Sequence, residues 1–394
     1  MWFSRPKRIY LDHASATPML PQAQKVVEAA WQIFGNPGAI HVDGVKAGHI
    51  LDDARERIAH ELACKPREII FTSGGTEGNN IAILGLARKL ILKGDEISKT
   101  HWVVGSIEHP SVLECFMEIE RLGGKVTHID PDEKGVIRAE TVIDAIKPHT
   151  KLVSIAWANH EIGVVQPIRD IARTMHEKNE NVLLHVDAGQ APLYLSPQVH
   201  TLGVDMLTLD SGKLYGPRGI GALYLSNRVE LAPIMLGGGQ ERGLRAGTEN
   251  VALAAGFASA FGIISRERGD ESRRLEKMRD AFAKEIESRI PQAIVNGDIR
   301  RVLPHMLNIS IPDIQSEYVT LSLDKEGISI STKSACREGE ERRSHVVEML
   351  GENPPAGGWR AANTLRFSFG RETSERDIMK TIECLSKIIA DTKA

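Results

Sequence analysis

Short apolar runs recur along the chain, each ending in a polar or glycine-containing turn, and several are followed by a stretch with helical spacing. The runs are Ile69-Ile70-Phe71, Trp102-Val103-Val104, Val126 to Ile129, Leu152 to Ala156, Val182-Leu183-Leu184, Met206-Leu207-Thr208-Leu209 and Ile220 to Leu225. Most of them do not alternate with polar residues, as expected of strands covered on both faces. Before and between them the spacing predicts helices from Pro21 through Trp31, from about Val45 to Ala63, through Ile81, Leu84 and Ala87, and from Thr141 to Ile146. Gly35-Asn36-Pro37-Gly38 ends the first of these. Strands alternating with helices predict an α/β fold with a mostly parallel sheet.

The pattern changes beyond Leu225. A glycine-rich, polar loop runs from Leu236 to Asn250, and a long helical region follows from Val251 through Ile264 to Ile286. The tail reads as strands at Leu307–Ile311, Ile328–Ser331 and Thr364–Phe369, with helices at Ser316–Glu326, Ser344–Leu350 and Glu375–Ala390. That is the texture of a smaller α+β unit. A large domain over 15–260 is expected, with a small one from 1–14 and 261–394; the boundary falls inside the long helical region.

Composition narrows the classes. With 394 residues, two domains are the prior. A formal net charge of -3 and no dense basic run argue against direct nucleic-acid binding. No apolar run is long enough to span a bilayer, and no apolar core follows the basic MWFSRPKR start. The cysteines Cys64, Cys115, Cys336 and Cys384 are scattered, without zinc spacing. A reduced cytoplasmic protein with no metal site is expected, any special cysteine being reactive rather than structural. Cys336 lies in a charged, apolar-poor segment, Thr332 to Arg343, where a cysteine is unusual.

Polar residues gather just past the apolar runs. Asp187 ends one strand, and Lys213 follows another in Asp210-Ser211-Gly212-Lys213. An amine that can carry a Schiff base and an acid that can pair with a pyridinium nitrogen suggest pyridoxal phosphate chemistry. His109 and Asn159 lie at two more strand ends. The turn Thr72-Ser73-Gly74-Gly75-Thr76 leads from a strand into a helix, which presents backbone N–H groups to a phosphate.

These residues sit in motifs that together resemble the cysteine desulfurases, pyridoxal 5'-phosphate enzymes of the fold-type I aminotransferase class. The motifs are YLDHASATP, FGNPGAIH, FTSGGTEGNN, EHPSV, ANHEIGVVQPI, HVDAGQAP, KLYGPRGIGALY, GGGQERGLRAGTEN, SAC and LRFSFG. The resemblance runs nearly end to end and is to the branch with an extended catalytic cysteine loop. It implies a mostly parallel seven-stranded sheet between helices. It also implies Lys213 as Schiff-base lysine, Asp187 on the ring nitrogen, Gln190 on the phenolic oxygen with Asn159 close by, and His109 stacked on the ring and moving protons. Gly75, Thr76 and Ser211 would bind the phosphate, joined by Thr248 from the second subunit of a homodimer. Arg366 would hold the substrate carboxylate, with Asn36 nearby. Cys336 would take sulfur from L-cysteine, leaving L-alanine and a persulfide for an acceptor protein, a scaffold or carrier in iron–sulfur cluster assembly or tRNA thiolation.

The chain departs from the family pattern where the lysine is usually preceded by Ser-x-His: here Asp210-Ser211-Gly212 stand in those places. Gly212 removes a donor, and Asp210 would repel a phosphate if it pointed inward. Two other readings follow: a lyase for selenocysteine or another β-substituted amino acid, and a cofactor-poor paralogue that acts as a binding partner in sulfur transfer.

Overall fold

The computed structural model describes residues 8–332, 343–351 and 358–393. Its strands are β1 (Ile9–Tyr10), β2 (Ile69–Thr72), β3 (His101–Gly105), β4 (Lys125–Ile129), β5 (Thr150–Ser154), β6 (Leu183–Asp187), β7 (Met206–Asp210), β8 (Gly221–Leu225), β9 (Ile294–Val295), β10 (Met306–Ser310), β11 (Ile328–Ser329) and β12 (Thr364–Ser368). The first four helices are α1 (Pro21–Ala30), α2 (Val42–Leu62), α3 (Gly75–Leu92) and α4 (Pro110–Arg121).

The apolar runs assemble into a seven-stranded sheet of order β2-β8-β7-β6-β5-β3-β4. Neighbours from β7 to β4 are parallel; β8 runs antiparallel to both β7 and β2. The interior strands are buried on both faces, with Trp102, Val103, Leu152, Val153, Leu184, Val186 and Leu207 fully buried. The edge strand β4 instead exposes Lys125 and His128 to solvent. Chain order along the sheet reverses between β3 and β5, so the carboxyl ends of β3, β5, β6 and β7 open onto one crevice.

A second sheet, β12-β10-β9, is antiparallel, and β1 pairs with β11. The helix Val251–Arg289, of 39 residues, reaches from one sheet to the other. Its first part is buried almost all round, from Val251 to Ile264; its second buries one stripe, Leu275, Met278, Phe282 and Ile286. Phe282 meets Phe367 and Phe369 at ring-centroid distances of 5.0 and 5.4 Å. Packing of α1 on this helix requires Gly256, where a Cβ would lie 2.3 Å from Val27 Cγ2.

Several boundaries shift from expectation. α2 begins at Val42 because His41 caps it, its Nδ1 accepting from Gly44 N–H at 3.2 Å. The helix Ile168–Lys178 and the strand β9 were not anticipated. The glycine-rich loop is pinned by Glu241, whose carboxylate pairs with Arg55 at 2.6 Å and accepts from Phe71 N–H at 2.8 Å.

Candidate active site

Asp187 ends β6 at the middle of the sheet. Its Oδ2 accepts from Asn79 Nδ2 at 2.8 Å and its Oδ1 from Gly189 N–H at 2.8 Å. Lys213 arrives from the turn after β7. A Cβ placed on Gly189 would be 3.1 Å from Asp187 Oδ1 and 3.6 Å from Lys213 Nζ, so the missing side chain lets amine and carboxylate share this corner.

His109 closes the crevice from the end of β3. It caps α4, with Pro110 at the first helical position. Ser111 N–H reaches its Nδ1 at 3.1 Å, so Nδ1 is an acceptor and the neutral ring carries its proton on Nε2. Ser111 Oγ lies 2.8 Å from the same nitrogen and accepts from Asn79 Nδ2 at 2.9 Å. A continuous chain therefore runs Asp187–Asn79–Ser111–His109. Burial, then the Lys213 charge, lowers the His109 pKa to about 4, which keeps the ring neutral at physiological pH.

A second layer of ionisable groups backs the first. His160 packs edge-on to His109 at 5.1 Å, and burial pushes its pKa well down. Glu108 is buried, with Oε1 accepting from Ala156 N–H at 2.7 Å; burial raises its pKa well above the carboxylate range. Its Oε2 has no partner among the described residues. Arg366 on β12 is buried, donating to His160 O at 2.7 Å, Asp12 Oδ1 at 2.9 Å and Ser15 Oγ at 2.6 Å.

The other expected residues divide. Asn159 spends its amide on the loop: Nδ2 donates to Ile107 O and Oδ1 accepts from Glu161 and Ile162 N–H. Gln190 donates to Ala14 O at 2.8 Å. Asn36 and Thr248 are exposed and share no hydrogen bond with this cluster. The buried Ser211 Oγ stands beside Gly216, where a Cβ would approach it to 2.2 Å. Thr76 is exposed at the start of α3, and Gly75 N–H donates to Asp210 Oδ2 at 3.1 Å. Cys336 lies outside the described residues. Asn79, which sequence reasoning passed over, joins two halves of the site. Its signal is a polar side chain among Gly78, Ile81 and Ala82 on the buried face of α3.

The chain matches the aminotransferase class-V family over residues 9–380. It belongs to that family. Among class-V relatives it is similar to the cysteine desulfurase IscS of Dictyoglomus turgidum, 36% identical, with 97% of this chain and 95% of that protein aligned. It is 37% identical to cysteine desulfurase IscS 1 of Archaeoglobus fulgidus, covering 96% of each. Among solved structures it is similar to a NifS-like protein (30% identity, 98% of this chain and 100% of that one, TM-score 0.89). It is also similar to SspA in complex with cysteine (34% identity, 92% and 98%, TM-score 0.77). No helix among the described residues is long and apolar enough to cross a membrane.

The donor set can be tested against the pyridoxal phosphate on which this family relies. The ring end fits: a twice-bonded acceptor carboxylate, a primary amine beside it and a neutral imidazole on one crevice. The phosphate end is different, because the first N–H of α3 already binds a carboxylate of the chain itself.

Proposed function

We propose that the chain is a cysteine desulfurase, converting L-cysteine and the Cys336 thiol to L-alanine and a Cys336 persulfide. The observation that carries this is the corner where Asp187 and Lys213 both approach Gly189, at the ends of adjacent strands and beside His109. The cysteine desulfurase relatives, aligned almost end to end, support it. Pyridoxal phosphate, when bound, supplies a sink for electrons released at the substrate Cα and Cβ.

The chain's residues do the rest. Asp187, fixed by Asn79 and Gly189, would pair with the ring nitrogen. Lys213 would anchor the cofactor, and its free amine would take the proton at the substrate Cα. His109, neutral with its proton on Nε2, would cover a ring face and move protons. Arg366 binds the substrate carboxylate through a guanidinium that Asp12 and Ser15 orient.

The described residues on either side of the cysteine segment converge on this crevice. Ser331 pairs with Arg366 through 2.8 and 3.2 Å backbone bonds. Ser344 Oγ bonds Glu161, and His345 Nε2 lies 3.0 Å from Glu108 O. Cys336 falls between these anchors in the sequence.

Homodimer formation belongs to the same reading, with Thr248 reaching the phosphate from the second subunit and Asn36 near the substrate carboxylate. Phe34 and Ile40, flanking Asn36, are 87% and 98% exposed, which suits burial by a second copy. The division at residue 260 into a cofactor-binding and a smaller domain, a cytoplasmic location and delivery of sulfur to an acceptor protein are part of the proposal too.

Absorption spectra before and after L-cysteine, with alanine assayed alongside, test it. A visible band that changes with cysteine while alanine forms is the expected result. Lys213→Ala should lose the band, and Cys336→Ser should keep it without releasing sulfide. Full desulfuration by the serine variant would remove Cys336 from the reaction.

A further inference from the structure

Side chains alternate along β7, so Asp210 points to the same face of the sheet as Thr208, two residues earlier. Thr208 packs under α3, where a Cβ on Gly78 would meet its Cγ2 at 2.8 Å. Asp210 consequently reaches the first turn of α3. Its Oδ2 accepts from Gly75 N–H at 3.1 Å, while Oδ1 accepts from Gly212 N–H at 2.9 Å. The strand fixes its backbone, since Asp210 is in register with Gly221 of β8. Gly221 in turn lies so close to Gly74 that a Cβ there would stand 2.8 Å from its Cα.

Among the described residues, the charges at this helix start are largely committed, although the Arg218 stem passes Gly212, where a Cβ would lie 3.2 Å from Arg218 Cγ. A second carboxylate, Glu77, accepts from Ser73 N–H and holds Arg245 at 3.0 Å, so the basic side chain at this helix start is already paired. Ser211 Oγ lies against Gly216 with no hydrogen-bond partner among the described residues, which leaves one neutral donor, and residue 212 brings no side chain.

We propose that Asp210 is the built-in anion of this cradle, and that the site binds through the pyridoxal ring and aldehyde with little preference for the 5'-phosphate. This deepens the desulfurase reading and rests on its pyridoxal site. A phosphate on the α3 N-terminus must displace the Asp210 carboxylate from Gly75 and then stand beside it, like charge against like charge. Pyridoxal without phosphate makes neither demand.

The test is a binding titration of the cofactor-stripped full chain with pyridoxal 5'-phosphate and, separately, pyridoxal. The readout is growth of the visible absorbance band and borohydride-trapped label on Lys213. Wild type, Asp210→Asn and Asp210→Ser are compared. In wild type the phosphate form should bind no more than about tenfold tighter than pyridoxal; in Asp210→Ser that preference should rise to about a hundredfold or more, as a recovered charge-assisted phosphate contact implies. Asp210→Asn, which removes the charge and keeps the bulk, should fall between.

Pyridoxal affinity should be the same in all three, which also shows that the variants fold. A wild-type preference already near a hundredfold and unmoved by Asp210→Ser would overturn the inference alone, with the ring site intact. Failure of both compounds to bind any of the three proteins would overturn the pyridoxal site and the inference together.

Discussion

Glu108 should be a neutral carboxylic acid in the folded protein, and Glu108→Gln tests this directly. It is 1% exposed and accepts one bond, from Ala156 N–H. Burial is the main cause of its raised pKa, and Asp187 adds to it. The unfolded chain ionises this group near the ordinary carboxylate value while the folded chain keeps it protonated. Its contribution to stability is therefore fully present below the unfolded pKa and is lost as pH rises toward the folded one. Over that window the penalty grows by about 1.4 kcal/mol per pH unit. Glutamine keeps the Oε1 acceptor for Ala156 and does not titrate, so the variant removes the slope. Urea unfolding of both proteins at pH 5, 6, 7 and 8 supplies the assay. The expectation is near-equal midpoints at about pH 5 and a growing advantage for the variant above it. A variant less stable by about 3 kcal/mol at every pH would mean that Glu108 is ionised and paired, refuting the reasoning.

Three further outcomes follow from the geometry. Asn79→Ala removes the amide that bonds Asp187 and Ser111, so alanine formation should fall about 10- to 100-fold, a loss of roughly 1.4–2.8 kcal/mol. Unchanged kinetics would show that Asn79 does not position Asp187. Glu241→Ala leaves Arg55 half-buried without its carboxylate and Phe71 N–H without an acceptor; unfolding should cost about 3–5 kcal/mol less, and a loss under about 1 kcal/mol in denaturant melts would place that pair among weak surface bridges. Arg366→Lys cannot serve His160, Asp12, Ser15 and a substrate carboxylate at once, so KM for cysteine should rise at least about tenfold; an unchanged KM would assign the carboxylate to another group.

Local signals made most of the frame legible. The run at Val126 to Ile129 is a strand that begins one residue earlier, at Lys125, and His109 caps a helix that begins at Pro110. Asp187 and Lys213 stand out because charged residues at the ends of buried strands are costly unless used. The helix Ile168–Lys178 also carries a readable signal: Ile168, Ile171, Ala172 and Met175 fall at helical spacing and are buried. What sequence withheld depends on contacts between distant segments. Asn79 meets Asp187 only because α3 crosses beneath β6. The aim of Asp210 follows from strand parity, which the apolar run ending at Leu209 left one residue short. Arg366 reads as a substrate arginine, and only the fold shows it already paired with Asp12 across the chain.

One helix start governs both ends of the crevice. Gly75 and Asn79 are four residues apart on α3 and therefore share a face. Asn79 holds Asp187 from the end of β6, and Gly75 holds Asp210 from the end of the neighbouring β7. The two acids look alike in sequence, each closing a buried strand, yet the helix treats them differently. A side-chain amide presents Asp187 toward the lysine corner. The backbone N–H at the helix terminus absorbs Asp210, satisfying a donor that the helix itself leaves open. On the proposed reading, chemistry at the lysine corner and anion selectivity at the helix start are set by separate carboxylates. Position 210 can change while the Asp187–Asn79–Ser111–His109 chain stays intact, which is why a family member can keep the reacting groups and still depart at the cofactor's far end.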